Sequence, residues 1–132
     1  MEAVELIKTY YSAFNKKDWE GMLAAVHDDV VHFPNQGEVR AGKSALRDFI
    51  NHSAKLYDEW LTNLAVLTNE DRTRFAAEFV VNGTYIEGEP GFPPARGQKY
   101  VLPAGAFFEF RDGKIGRISN HYNLKDWIEQ VS

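Results

Sequence analysis

Residues 104–131, AGAFFEFRDGKIGRISNHYNLKDWIEQV, constrain the fold more than any other stretch of the chain. Strand alternation puts Ala106, Phe108 and Phe110 on one side and Phe107, Glu109 and Arg111 on the other. Asp112-Gly113 then supplies a two-residue turn of the kind that needs φ > 0 and that joins antiparallel strands. The returning strand places Ile118, Asn120 and Tyr122 opposite Arg117, Ser119, His121 and Asn123, and runs into a helix carrying Trp127, Ile128 and Val131. The chain therefore ends in an antiparallel hairpin closed by a short C-terminal helix.

Upstream the order of elements sets the class. Ala3, Ile7, Tyr10, Tyr11 and Phe14 recur at helical spacing and form one apolar face. Asp18 is placed to cap a second helix over 19–26, which His27-Asp28-Asp29 ends, and a short extended piece follows over 30–33. A third helix begins at Ser44, with Leu46, Phe49, Ile50 and Ala54 on one face. Strand patterns then occupy 60–67, 73–85, 98–111 and 114–122. Helices first and strands afterwards give an α+β architecture in which three N-terminal helices cover one face of a curved antiparallel sheet, whereas a parallel doubly wound sheet would alternate the two. Residues 86–97 carry three prolines and three glycines. They read either as a rim or lid, or as a solvent-exposed extension or dimer-contact arm.

The 132 residues, 44% of them apolar and 14% aromatic, suit a single domain spanning 1–132 with its own core. The absence of cysteine removes disulfides, thiolate metal sites and cysteine nucleophiles, and fits a reducing compartment, with cytoplasm as the expected location. No apolar run approaches the roughly 20 residues of a membrane helix, and the start at Met1 lacks the cationic flank of a signal peptide, so a soluble chain is expected. A net charge of −4 with scattered Lys and Arg argues against nucleic acid as a partner.

YYSAFNKKDWEGMLAAVHDDVV, NQGEVRAGKSALRDF, AAEFVVNGTY, ARGQKYVLPAGAFFEFRDGKI and NHYNLKDWIEQV, in that order, resemble the nuclear transport factor 2-like superfamily across essentially the whole chain. Within it they are most similar to the ketosteroid isomerase-related subgroup, near the SnoaL-like polyketide cyclases. The resemblance implies a cone-shaped sheet, cystatin-like in form, enclosing an apolar pocket against the helices, and a homodimer. It implies proton transfer on a cyclic, carbonyl-bearing small molecule, as isomerisation or cyclisation, without a cofactor. It also places Tyr10 as a phenol donor to the ligand carbonyl, although a core tyrosine with a satisfied hydroxyl is the competing reading.

The carboxylates of that chemistry are missing from their matching positions. Phe33, Pro34 and Asn35 stand where the base belongs, Gly105 or Ala106 where the neutral acid belongs, and Asn123 where SnoaL-like cyclases carry an acid–base Asp. His32 is left as the expected base, since an unperturbed imidazole titrates near ~6.5. Only one face of the last strand lines the pocket, and the isomerase pattern favours Ile118, Asn120 and Tyr122 over His121 and Asn123. Asn35 and Asn120 are expected to orient the ligand, Tyr85 to lie near the mouth, and Phe108, Phe110 and Tyr122 to form the apolar wall. The alternative reading is a non-catalytic module that kept the cone, lost the carboxylates and binds an apolar ligand or a protein. Phe107, on the outward side of its strand, suggests homodimerisation through the outer sheet face.

Gly37 to Ser44 spells the phosphate-loop pattern, but Glu, Val and Arg occupy the loop where the backbone must approach closely, and a strand meander follows instead of a parallel sheet. No His, Asp or Glu spacing sets two or three metal ligands on one face.

Overall fold

Residues 1–132 are described by the computed structural model. Helix α1 spans Ala3–Asn15, α2 Trp19–Ala24, α3 Lys43–Leu56 and α4 Leu124–Val131; strands β1 to β6 span Val26–Phe33, Arg40–Ala41, Tyr57–Thr68, Arg74–Tyr85, Lys99–Arg111 and Lys114–Tyr122. The strands form a six-stranded sheet in the order β2-β1-β6-β5-β4-β3. β3 to β6 are an antiparallel meander, and β1 joins β6 in parallel. This is the α+β arrangement expected from the sequence, with a curved sheet and a short C-terminal helix. No helix is long and apolar enough to cross a membrane.

The hairpin turn forms as its residues dictate, with φ of 51° at Asp112 and 78° at Gly113. Two of the sheet's three ladder irregularities lie in the meander. One lies between Thr62 and Ala65 in β3, where Asn63 takes φ of 57°. The other lies between Glu109 and Phe110 in β5, opposite Gly116, where a Cβ would sit 2.8 Å from that of Arg111. Extra residues on one strand of a pair increase local twist and bending, which is how an open sheet becomes a concave one.

Two local expectations are corrected. The second helix stops at Ala24 rather than running to Val26, because Val26 enters the sheet opposite Ile115 and is 1% exposed. His27, Asp28 and Asp29 then belong to β1, in the stretch where its register with β6 shifts. The Gly37–Ser44 stretch contains β2, antiparallel to β1, and its Lys43 pairs with Asp28 at 3.4 Å.

The main core joins Leu6, Ile7, Tyr10 and Tyr11 of α1 and Leu46 and Ile50 of α3 to Phe75, Phe79, Phe108, Ile115 and Ile118 of the sheet. A smaller cluster holds Tyr85, Tyr100, Leu102, Trp127 and Val131 and fastens α4 to the meander. Asn123 caps α4 by accepting from the Asp126 N–H at 3.1 Å, so this side chain is committed to the helix end.

Candidate active site

Between the concave face and the helices lies a cavity of about 660 Å³. Along β5 and β6 its position follows from side-chain size. Phe110 and Phe108, near the hairpin turn, fill the core, with Phe108 paired to Ile118. Farther along, Ala106, paired with Asn120, is still 1% exposed in the core, and Ala104, paired with Tyr122, borders the cavity. Ala104, Gly105, Asn120 and Tyr122 line the open space.

Of the residues expected at the site, Tyr10, His32, Asn35, Asn120 and Tyr122 come together around this cavity. Phe108, Phe110 and Ile118 do not: Phe108 and Ile118 are 1% exposed, and Phe110 packs against Phe75 with ring centroids 5.2 Å apart. Tyr85 is also outside the lining. It is fully buried and anchors the 86–97 loop, its hydroxyl donating to the Pro93 carbonyl at 2.7 Å and accepting from the Glu89 N–H at 3.2 Å. The apolar wall is instead supplied by Phe14, Phe49, Phe79, Leu102, Phe92 and Trp127.

His32 does not present a free nitrogen to this space. Its Nε2 is 2.7 Å from Asn120 Oδ1, and its Nδ1 is buried without a partner. The ring sits edge-on to Phe49 at 4.7 Å and is 2% exposed. Burial lowers its pKa, outweighing the Asn120 hydrogen bond, which acts in the opposite direction. A neutral imidazole carrying its proton on Nε2 therefore donates to the Asn120 oxygen and fixes the amide. The Asn120 nitrogen, Nδ2, donates to nothing in the protein and is left as a donor in the cavity wall.

Asn35 is a brace, its Oδ1 accepting from the Tyr122 N–H at 2.9 Å. Tyr10 is 6% exposed, and burial pushes its phenol upward in pKa, so it remains protonated and able to donate. His121 borders the cavity, but its side chain turns to the outer face, with the ring 5.3 Å from Phe107 and Nε2 3.1 Å from the Ser119 hydroxyl.

The sequence reading missed the acidic side of the cavity. Glu59 of β3 lines it and accepts from the Tyr100 hydroxyl at 2.6 Å; burial raises its pKa. Glu89, from the 86–97 loop, accepts from the Tyr57 hydroxyl at 3.0 Å and faces His52 at 3.5 Å, so the loop is tied across the mouth to β3 and α3. Arg96 holds the chain end, reaching the Val131 and Ser132 carbonyls at 3.5 and 3.3 Å. The available signal was period-two alternation of Tyr57, Glu59 and Leu61, obscured because the strand pattern was started at Trp60.

A family profile described as the SnoaL-like domain matches residues 7–118. The chain belongs to the SnoaL-like domain family. It is 48% identical to a candidate polyketide cyclase from Pseudomonas putida, covering 100% of this chain and 99% of that one with a TM-score of 0.96. A second candidate polyketide cyclase, from Xanthomonas campestris, is 47% identical over 97% of this chain and 95% of that one, with a TM-score of 0.92. A nuclear transport factor 2-like protein of unknown function from Burkholderia pseudomallei shares the fold at 18% identity, with a TM-score of 0.81 over 97% and 95% of the two chains. Searches among curated proteins return no match.

Proposed function

We propose that this SnoaL-like protein catalyses proton transfer, as isomerisation or cyclisation, on a cyclic, largely apolar, carbonyl-bearing small molecule. The observation that carries the reading is the His32–Asn120 pair in the wall of an aromatic-lined cavity. A buried neutral imidazole orients an amide whose remaining N–H groups have no protein acceptor. Such a donor, fixed before the ligand arrives, stabilises the negative charge that develops on a carbonyl oxygen during enolisation. Tyr10 is a second donor in the same lining. A volume of about 660 Å³ falls in the range of small-molecule sites and accommodates a fused-ring ketone. The similarity to candidate polyketide cyclases agrees with a polycyclic carbonyl ligand.

The test is deuterium uptake at the α-carbons of cyclic ketones in D2O, followed by proton NMR over a panel that includes 2-tetralone and cyclohex-2-enone. Saturable exchange above the buffer rate supports the enzyme. Ligand line broadening without exchange in any member supports a binding module.

The same reading includes a homodimer. Trp60, Val101 and Phe107 are 47%, 56% and 49% exposed on the outer sheet face, an apolar group that a second copy of the chain would cover. Light scattering is expected to give a two-chain particle for the wild type and a monomer for Phe107→Glu. A wild-type monomer at high concentration would remove the dimer from the account.

A further inference from the structure

Glu59, Gly83 and Tyr100 form one row across three strands: Glu59 is paired with Gly83 in the β3–β4 ladder, and Gly83 with Tyr100 in the β4–β5 ladder. The middle position has no side chain, and it cannot carry one. A Cβ on Gly83 would lie 2.3 Å from Tyr100 Cζ and 2.5 Å from its hydroxyl oxygen. The Tyr100 ring therefore lies across β4 in the space Gly83 leaves, and its hydroxyl reaches Glu59 Oε2 at 2.6 Å. Tyr100 is 2% exposed and rests against Trp127, with centroids 6.0 Å apart, so the phenol is held in place.

Only one carboxylate oxygen is used by this contact. Glu59 Oε1 receives no hydrogen bond from the protein, and the nearby cation, Lys17, pairs with Asp58 at 2.6 Å instead. Glu59 lines the cavity on β3, one edge strand of the sheet, while Asn120 lines it from β6, with β4 and β5 between them. The curvature of the sheet sets them on different walls of one space. Glu59 is a half-buried carboxyl without a salt-bridge partner, so desolvation disfavours its charged form.

We propose that Glu59 is the proton-carrying catalytic residue of this site, with Tyr100 as its positioning residue; the assignment rests on the proton-transfer reading above. The ionised carboxylate takes a proton from the ligand α-carbon. The C–H electron pair becomes the C=C bond of the enolate, and the carbonyl π pair moves to oxygen, where the Asn120 amide receives it. The protonated Glu59 trades its proton with solvent and delivers a solvent-derived one to the same carbon, giving exchange, or it delivers the abstracted proton to a conjugated carbon, giving isomerisation. Carboxylate and ketone are regenerated, and no oxidant or co-reactant is consumed.

The groups that face Glu59 set its titration. Burial raises its pKa; the Tyr100 hydroxyl from β5 and Lys17 from the α1–α2 turn lower it; neighbouring Asp58 raises it. Tyr122 of β6 is coupled to it and is itself pushed upward, chiefly by burial. A raised carboxylate pKa makes a stronger base, so exchange rises with pH through the apparent pKa of Glu59 and then levels off.

The experiment measures exchange of 2-tetralone α-protons by wild type, Glu59→Gln, Glu59→Asp and Tyr100→Phe across pH. Glu59→Gln keeps the shape and loses the base, and is expected to lower kcat by about 10²-fold or more with little change in KM. Glu59→Asp, which restores a carboxylate on a shorter stem, is expected to recover part of the loss. Tyr100→Phe removes a hydrogen bond that favours the charged carboxylate, so the midpoint of the pH profile moves upward. A brace with only a structural role would change melting temperature in these variants and leave kcat and the pH midpoint in place; that result overturns the assignment. If Glu59→Gln matches wild type while Asn120→Ala loses activity, the pocket is an enzyme whose base lies elsewhere. If wild type binds 2-tetralone but exchanges nothing, the proton-transfer reading falls and the Glu59 assignment with it.

Discussion

Asn120→Ala is expected to lower the exchange rate by about 10²–10³-fold, the usual loss when one donor to a developing oxyanion is removed. The effect should appear in kcat more than in KM, because the amide meets the oxygen most strongly once charge has built up on it. The substitution also leaves the His32 Nε2–H without its acceptor in a buried setting, at a cost of about 1–3 kcal/mol. Melting curves separate the two consequences: a folded variant with a depressed rate identifies the donor role, whereas an unchanged rate in a folded variant removes Asn120 from the chemistry. His32 acts here through Asn120 and keeps the amide turned. Because burial depresses its folded pKa, the native state binds fewer protons than the unfolded chain below an unfolded value of about 6.5. Its contribution to stability is complete above that pH and is lost as the pH falls towards the folded value.

Trp127→Ala is expected to destabilise the fold by about 3–5 kcal/mol, the range for emptying a buried aromatic position. Trp127 is 5% exposed and meets four rings, those of Tyr57, Tyr85, Phe92 and Tyr100, with centroids between 5.0 and 6.0 Å. Losing it unseats α4, the 86–97 loop through Phe92, and the Tyr100 phenol that holds Glu59. Thermal denaturation should show a melting temperature lower by roughly 10–20 °C for a chain of this size. A drop of only a few degrees would mean that the cluster repacks around the space, and that the loop and Tyr100 do not depend on it.

The fold was readable because local signals agreed with one another. Asp112-Gly113, the alternation on either side of it and the apolar stripe of α1 each point to one solution, and the structure adopts it. What stayed hidden depends on pairing. β2 is two exposed residues whose strand character exists only opposite Val31 and His32. Residues 27–29 carry charges that end a helix in most contexts, and they lie in β1 because Val26 is claimed by the sheet.

The lining of the cavity was half readable for a related reason. Alternation tells which residues share a face, and it turns the His121 ring towards Phe107, although Asn120, His121 and Tyr122 all border the cavity. It does not tell where along that face the core stops. Phe108 and Ile118 lie in the core, whereas Ala104 and Tyr122 border the cavity, so residues in phase with one another have different surroundings. Glu59 was missed because carboxylates were sought on the strand ends that related enzymes use, whereas its meaning comes from a glycine and a tyrosine on the two strands beside it.

If the cavity moves a proton, the wild-type rate of deuterium uptake into 2-tetralone, followed against ketone concentration and pH, saturates with ketone and rises with pH to a plateau, as titration of one enzyme carboxyl requires. A rate that never saturates, climbs with hydroxide without a plateau and equals that of buffer alone would contradict it.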